Sequence, residues 1–264
     1  MHSRSIEMKA GRYLPIGQCI YCLTYDGAEA FTDEHVIAKA LAGRLVFERS
    51  VCETCRRQTE GFEREALGTS LYVPRVLLGL KGRRKNKIRP LPPVSLGDVT
   101  GGGGAFDLNL SVEEYPQRLN FIVFERAGLL DGVSRSGGLK NFQTAFVRTG
   151  SGSSRTPSVT TRHQQNWSAM ARTLLKNAYC FAVGELGLDA FDGDAARSIL
   201  LDPAHSILNF VGFPPPEIQK AFGSQDLHRL SWRNVNDWLV VYVHLFASYG
   251  APVYEVCVGR LLRR

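Results

Sequence analysis

The sequence predicts an α+β protein in which a small metal-stapled domain precedes a larger α+β domain. Three observations lead there. Two C-x-x-C pairs, Cys19/Cys22 and Cys52/Cys55, bracket a short β-prone pattern and open onto a helical one. A Pro- and Gly-rich stretch at 91–105 then interrupts the chain. Beyond it, strand periodicity comes first and helical periodicity follows, the order of an α+β chain rather than an alternating α/β one.

Taken in order, residues 1–17 read as a polar, basic arm with Pro15 and Gly17 as breakers. Cys19–Cys22 has the spacing of a tight knuckle that turns two sulfurs toward one metal. Residues 29–37 fit a short strand with Phe31, Val36 and Ile37 packing, and Ala38 to Gly43 a helical turn stopped by the glycine. Residues 44–47 are apolar and β-prone, so they pair with the preceding strand as a hairpin. Cys52 opens a helix on which Glu53, Arg56, Arg57, Glu60 and Arg64 alternate in sign at helical spacing. Phe62, Ala66 and Leu67 form its apolar side, and Gly68 ends it. A second helix spans 70–80, with Pro74 in its first turn.

These residues, with a basic tail, make a first domain over 1–90. Residues 91–105 form a connector, and 106–264 the second domain. There, 106–112, 119–124 and 142–147 carry strand patterns, and 150–157 is a Gly/Ser loop. From Trp167 to Leu186 the period is helical, with Met170, Leu174, Ala178, Phe181, Ala182 and Leu186 on one stripe. A shorter helix covers 193–201. Residues 239–246 read as a buried strand, and 253–258 as its partner after the Gly250-Ala-Pro252 turn.

A hydrophobic fraction of 44% and a charged fraction of 22% belong to an ordinary globular chain. No apolar run reaches the ~18–20 residues of a membrane span, and the N-terminus leads into no apolar signal region. The expected setting is a reducing cytoplasm, where paired cysteines bind metal more often than they form disulfides. Cys180 and Cys257 stand alone in apolar surroundings and read as buried, inert thiols. The net charge of +7 favours an anionic partner, most simply DNA, with RNA open. Lys81, Arg83, Arg84, Lys85, Lys87 and Arg89 concentrate that charge, and no acidic residue lies between 66 and 97. They form a candidate phosphate-contacting strip. Gly101 to Gly104 lack the Gly-Lys-Ser/Thr ending of a phosphate loop and read as part of the connector.

Zinc takes four ligands in a tetrahedron and favours thiolate, so Cys19, Cys22, Cys52 and Cys55 are its expected structural ligands. The gap between the pairs exceeds that of a simple zinc ribbon, and the inserted segment holds Glu34-His35. A strand histidine can activate water as a general base when its other ring nitrogen is fixed. A neighbouring carboxylate could hold Mg²⁺ or Mn²⁺. Adjacent strand residues face opposite ways, so Glu34 and His35 share one spot only if a bulge or strand end intervenes. His163, His205, His228 and His244 lack ligand spacing and read as polar or core residues. Trp232 and Trp238 read as core or interface.

The run Cys-x-x-Cys, Thr-Asp-Glu-His-Val-Ile-Ala-x-Ala-Leu-Ala-Gly, then Cys-x-x-Cys followed by a helix with Phe62-Glu63, resembles the HNH endonuclease family over about residues 18–68. The resemblance implies a ββα-metal fold, two strands and a helix gripping one divalent ion. It implies His35 as the base activating water, Glu34 as a ligand of a catalytic Mg²⁺ or Mn²⁺, and hydrolysis of phosphodiester bonds in DNA. Arg56 stands where the family usually carries Asn or His, and a guanidinium cannot ligate a cation. Two alternatives stay open at this point. Either Glu60 or Glu63 supplies the missing ligand, or the nuclease is degenerate, a zinc-stapled DNA-binding protein using the 81–89 strip with Arg56 on a phosphate.

Overall fold

The computed structural model describes residues 4–7, 11–25, 30–80, 90–96, 106–136, 141–146, 159–161, 164–202, 206–222 and 225–262. It is a mixed helix-and-strand protein. The basic residues of 81–89, His163 and His205 lie outside the described residues, as does the loop expected at 150–157.

The N-terminal part comprises β1 (Arg4–Glu7), β2 (Gly11–Tyr13), β3 (Thr32–His35), β4 (Leu45–Val51), α1 (Glu53–Gly68) and α2 (Tyr72–Leu77). The expected hairpin is present: β3 and β4 pair antiparallel, and α1 follows. The expected arm is not an arm. β2 runs parallel beside β4, and β1 joins a distant sheet. Three- and four-residue strands are too short to show a period, so partners decide them rather than local pattern. Tyr13 anchors β2. Its ring stacks edge-on to Phe47 at 5.4 Å, and its hydroxyl donates to Glu185 at 2.6 Å. A Cβ at Gly184 would fall 2.2 Å from that ring, so only glycine fits there.

The turn after β3 also differs in detail. A single 3₁₀ turn spans Lys39–Leu41, and its left-handed residue is Ala42, at φ 61°. Gly43 serves another purpose. A Cβ there would lie 1.9 Å from the Ile37 carbonyl oxygen.

Val94–Leu96, within the Pro/Gly-rich stretch, forms β5 and pairs with β6 (Phe106–Leu108) and β9 (Val159–Thr161). β7 (Arg118–Val123) and β8 (Asn141–Phe146) form a separate antiparallel pair, with α3 (Gly128–Asp131) between them in sequence. Next come α4 (Trp167–Leu186), β10 (Phe191–Asp192), α5 (Asp194–Leu201), β11 (Val211–Gly212) and α6 (Pro216–Ala221). β12 (His228–Val235), β13 (Trp238–Leu245) and β14 (Tyr254–Leu261) complete the chain. The largest sheet has the order β1-β12-β13-β14-β10, with β11 also on β14. Asn236 and Asp237 turn β12 into β13 at φ 52° and 66°, the left-handed pair that a two-residue hairpin favours.

Helix α4 spans 167–186 as its periodicity predicts, but it is buried on nearly every face and not along one stripe alone. It packs against α1 and against β13 and β14. One continuous apolar core therefore includes Ile20, Phe47 and Phe62 together with Leu174, Phe181 and Val256. The N-cap Asn166 accepts from the Ala169 amide at 2.9 Å, and its own amide donates to Ser70 Oγ at 3.1 Å, tying α4 to the end of α1.

His228 makes a second tie. Nε2 donates to the Leu41 carbonyl at 2.6 Å, and Nδ1 accepts from the Phe246 amide at 3.1 Å. Both bonds require the neutral ring. Burial pushes its pKa down to about 4, against the pull of the Leu41 carbonyl, with His244 adding to the depression. An unfolded histidine takes its proton near pH 6.5. The contribution of neutral His228 is thus complete above about pH 6.5 and is lost as pH falls toward 4. In urea unfolding of wild type and His228→Gln, the stability gap is expected to shrink by about 2–3 kcal/mol between pH 7.5 and 4.5. An unchanged gap would refute the assignment.

Candidate functional site

The knuckles bring four sulfurs together. The Cys19 amide donates to the Thr24 carbonyl at 2.8 Å, and the Leu23 amide to the Cys19 carbonyl at 2.9 Å, curling the first C-x-x-C around itself. Leu23 closes that turn at φ 60°. The Ile20 amide donates to the Ser50 carbonyl at 2.9 Å and fixes the knuckle to β4. Cys52 is the N-cap of α1, and Cys55 lies in its first turn on the face that buries Thr59, Phe62 and Ala66. The four Sγ atoms lie within 4.8 Å of one another, Cys22 and Cys52 at 3.7 Å. A tetrahedron with Zn–S bonds of about 2.3 Å has S···S edges of about 3.8 Å, so the thiols fit one zinc ion. A hydrogen bond from Cys55 holds the Cys19 thiol down to about 4, and the same bond pushes Cys55 up. The cluster is already arranged to favour a thiolate.

The register of β3 on β4 shifts between Thr32 and Glu34. The extra residues lie on β4, where Arg49 adopts φ 39° and its amide donates to Asp33 Oδ1 at 3.0 Å. Irregularity is therefore present near the Glu-His pair, one step before it. Glu34 turns into the core, while His35 at the strand end is only half-buried.

Sequence reasoning missed what meets Glu34. Lys176, in the middle of α4 and with no exposed surface, places its ammonium against the Glu34 carboxylate. The same nitrogen lies 3.0 Å from Glu63 Oε1 and donates to the His35 carbonyl. Glu34 and Glu63 do converge, and the cation between them is a lysine. Burial pushes Glu34 up to about 7, with the Lys176 ammonium pulling against it and Glu63 adding to the rise. Burial also works against the ammonium, but Glu34 and Glu63 outweigh it and keep Lys176 charged. Two carboxylates and one ammonium in a dry site are closest to neutral when the pair shares one proton.

Glu60 is elsewhere. Arg56 spans Glu53 and Glu60 on the half-exposed side of α1, with its Nε 2.7 Å from Glu53 Oε2, and Arg57 reaches Glu53 at 2.8 Å. Hydrogen bonds from Arg56 and Arg57 hold Glu53 down to about 2. Arg56 thus belongs to a helix-surface ion network, and its guanidinium is engaged by acids.

Around Lys176 the contact between α4 and the knuckle is polar and specific. The Tyr179 hydroxyl donates to the Ile20 carbonyl at 2.8 Å, Tyr21 Oη meets Cys180 Sγ at 3.0 Å, and the two tyrosine rings stack at 6.0 Å. Cys180 and Cys257 are buried, as expected of inert thiols. The sequence did hold a signal for Lys176. It is the only charged residue from Thr173 to Gly184, a mostly apolar stretch of helix. A charge in such a place is seldom buried without a partner.

A hairpin and helix joined by four cysteines that could hold one zinc ion, with a Glu-His pair on the first strand, has the make-up of a nuclease-type module. Residues 19–71 match the family model described as HNH endonuclease, which makes the N-terminal quarter an HNH module. No curated protein and no solved structure matches the chain. Among the described residues, no helix is long and apolar enough to cross a membrane.

Proposed function

We propose that this chain is a nucleic-acid-binding protein built on an HNH module, with DNA as its partner and zinc as a structural staple. The observation that carries the reading is the occupation of the acidic pair: Lys176 sits between Glu34 and Glu63, and Arg56 is committed to Glu53 and Glu60. These residues do not fit a catalytic divalent ion, because the converging Glu34 and Glu63 oxygens already face an ammonium. Support for the partner comes from the net charge of +7 and from the cluster Arg83, Arg84, Lys85, Lys87 and Arg89.

The second reading is a metal-dependent endonuclease with His35 as base and Glu34, Glu60 or Glu63 as ligands of Mg²⁺ or Mn²⁺. The family match and the half-buried position of His35 at the end of β3 favour it.

Binding to a DNA duplex, followed by fluorescence anisotropy across a salt series, tests the first reading. Replacing Arg83, Arg84 and Lys85 by serine is expected to weaken binding at least tenfold and to flatten the salt slope by about 2–3. Unchanged affinity would sink it. Plasmid nicking with Mg²⁺ or Mn²⁺ separates the two. Nicking by wild type that disappears in His35→Ala would put the endonuclease in its place.

A further inference from the structure

We propose that Lys176 is a built-in counter-ion occupying the seat a divalent cation would take between Glu34 and Glu63, so that the HNH module loads no catalytic metal there. This rests on the HNH reading only for where such an ion would sit; it does not depend on nucleic-acid binding.

Three features of the seat carry the inference. First, the ligand set around the ammonium is one a hard cation would use: two carboxylates from different elements, β3 and α1, plus the His35 backbone carbonyl. Second, an ammonium carries three donors and here lies against the Glu34 carboxylate, the His35 carbonyl and, at 3.0 Å, Glu63 Oε1. A divalent ion cannot share that space with it, since both are cations in a site without solvent screening. Third, Lys176 cannot leave. It projects from a helix buried on nearly every face, whose neighbouring turns are held to the module by Tyr179 on Ile20 and by Tyr21 against Cys180. A latch would need an exposed hinge or a thin contact; α4 is core. The counter-ion is thus a permanent part of the fold, supplied by a helix more than a hundred residues from the motif it completes.

A Mn²⁺ titration of the zinc-loaded full chain, read by electron paramagnetic resonance, tests this without nucleic acid. The expected result is that wild type and Glu34→Gln give superimposable isotherms. Lys176→Met should gain one site at least tenfold tighter than any in wild type, and Lys176→Met/Glu34→Gln should lose it. Glu34-dependent Mn²⁺ binding by wild type would overturn the proposal, as would a folded Lys176→Met that gains no site. Should Lys176→Met fail to fold, the comparison of wild type with Glu34→Gln decides alone. Because no arm involves DNA, a failure here returns the endonuclease reading without bearing on DNA affinity, and a failure to bind DNA leaves this proposal standing.

Discussion

Stripping the metal from this protein is expected to unfold its N-terminal module and to lower the melting transition of the whole chain. Metal analysis of the purified protein should find about one zinc per chain. The reason for a large effect is local. Between Gln18 and Val51, the described regular structure is a bridge, two short strands and a single 3₁₀ turn, too little to fix two knuckles without a bond between them. Structural zinc in such sites contributes about 10–16 kcal/mol of apparent binding energy. A domain's total stability is about 5–15 kcal/mol, so the metal can account for most of the module's folding. The damage should also spread. Cys19, Ile20, Phe47 and Cys55 lie in the same apolar core as Leu174, Ala178 and Val256, and Tyr179 and Tyr21 bond across the boundary. Chelation followed by circular dichroism and thermal melting gives the readout. A zinc-free chain with the melting point and helix content of the native one would remove the metal from the account of the fold.

The parts of this structure legible in the sequence are those whose information is local. Cysteine spacing anticipates the four-thiol cluster because a knuckle is four residues long. The boundaries of α1 and α4 follow from caps and periods. The β3/β4 hairpin follows from two apolar runs either side of a turn. What could not be read is what depends on remote partners. β1 and β2 exist because β12 and β4 accept them, and nothing within 4–7 or 11–13 announces it. β12 carries Arg229, Ser231, Arg233 and Asn234 among its apolar residues, and only its pairing to β13 across the Asn236-Asp237 turn makes it a strand. The acidic pair shows both sides. Glu34 and Glu63 could be selected from the motif, and they meet; Glu60, chosen by its one-turn spacing from Arg56, is held by Arg56 itself. The partner of the pair, Lys176, lies 141 residues from His35 and enters through the packing of α4. A helical stripe was the visible feature of α4, while its opposite face, with Thr173, Lys176, Asn177 and Cys180, is equally buried.

Lys176→Met should be the most destabilising single substitution of a charged residue in the described structure. Methionine keeps the length and much of the volume of the lysine stem, so packing changes little. What is lost is the ammonium that compensates Glu34 and Glu63, whose side chains are only 8% and 13% exposed. Removing one partner of a buried ion pair typically costs about 3–5 kcal/mol, or about 6–20 °C in a chain of this size. Arg56→Met provides the contrast. It too has two acidic partners, Glu53 and Glu60, but they lie on a half-exposed helix face where solvent screens the pairs, so its loss should cost far less. If the cost of Lys176→Met comes from stranded carboxylates rather than from a packing defect, neutralising one of them must return part of it. Lys176→Met/Glu34→Gln should therefore be more stable than Lys176→Met, with a coupling of about 1–3 kcal/mol in the double-mutant cycle. Additive losses in that cycle would mean that the ammonium and the carboxylate do not act on each other. Coupling of the expected size would mean that α4 and the HNH module fold as one electrostatic unit, the helix supplying the cation that Glu34 and Glu63 of the motif face.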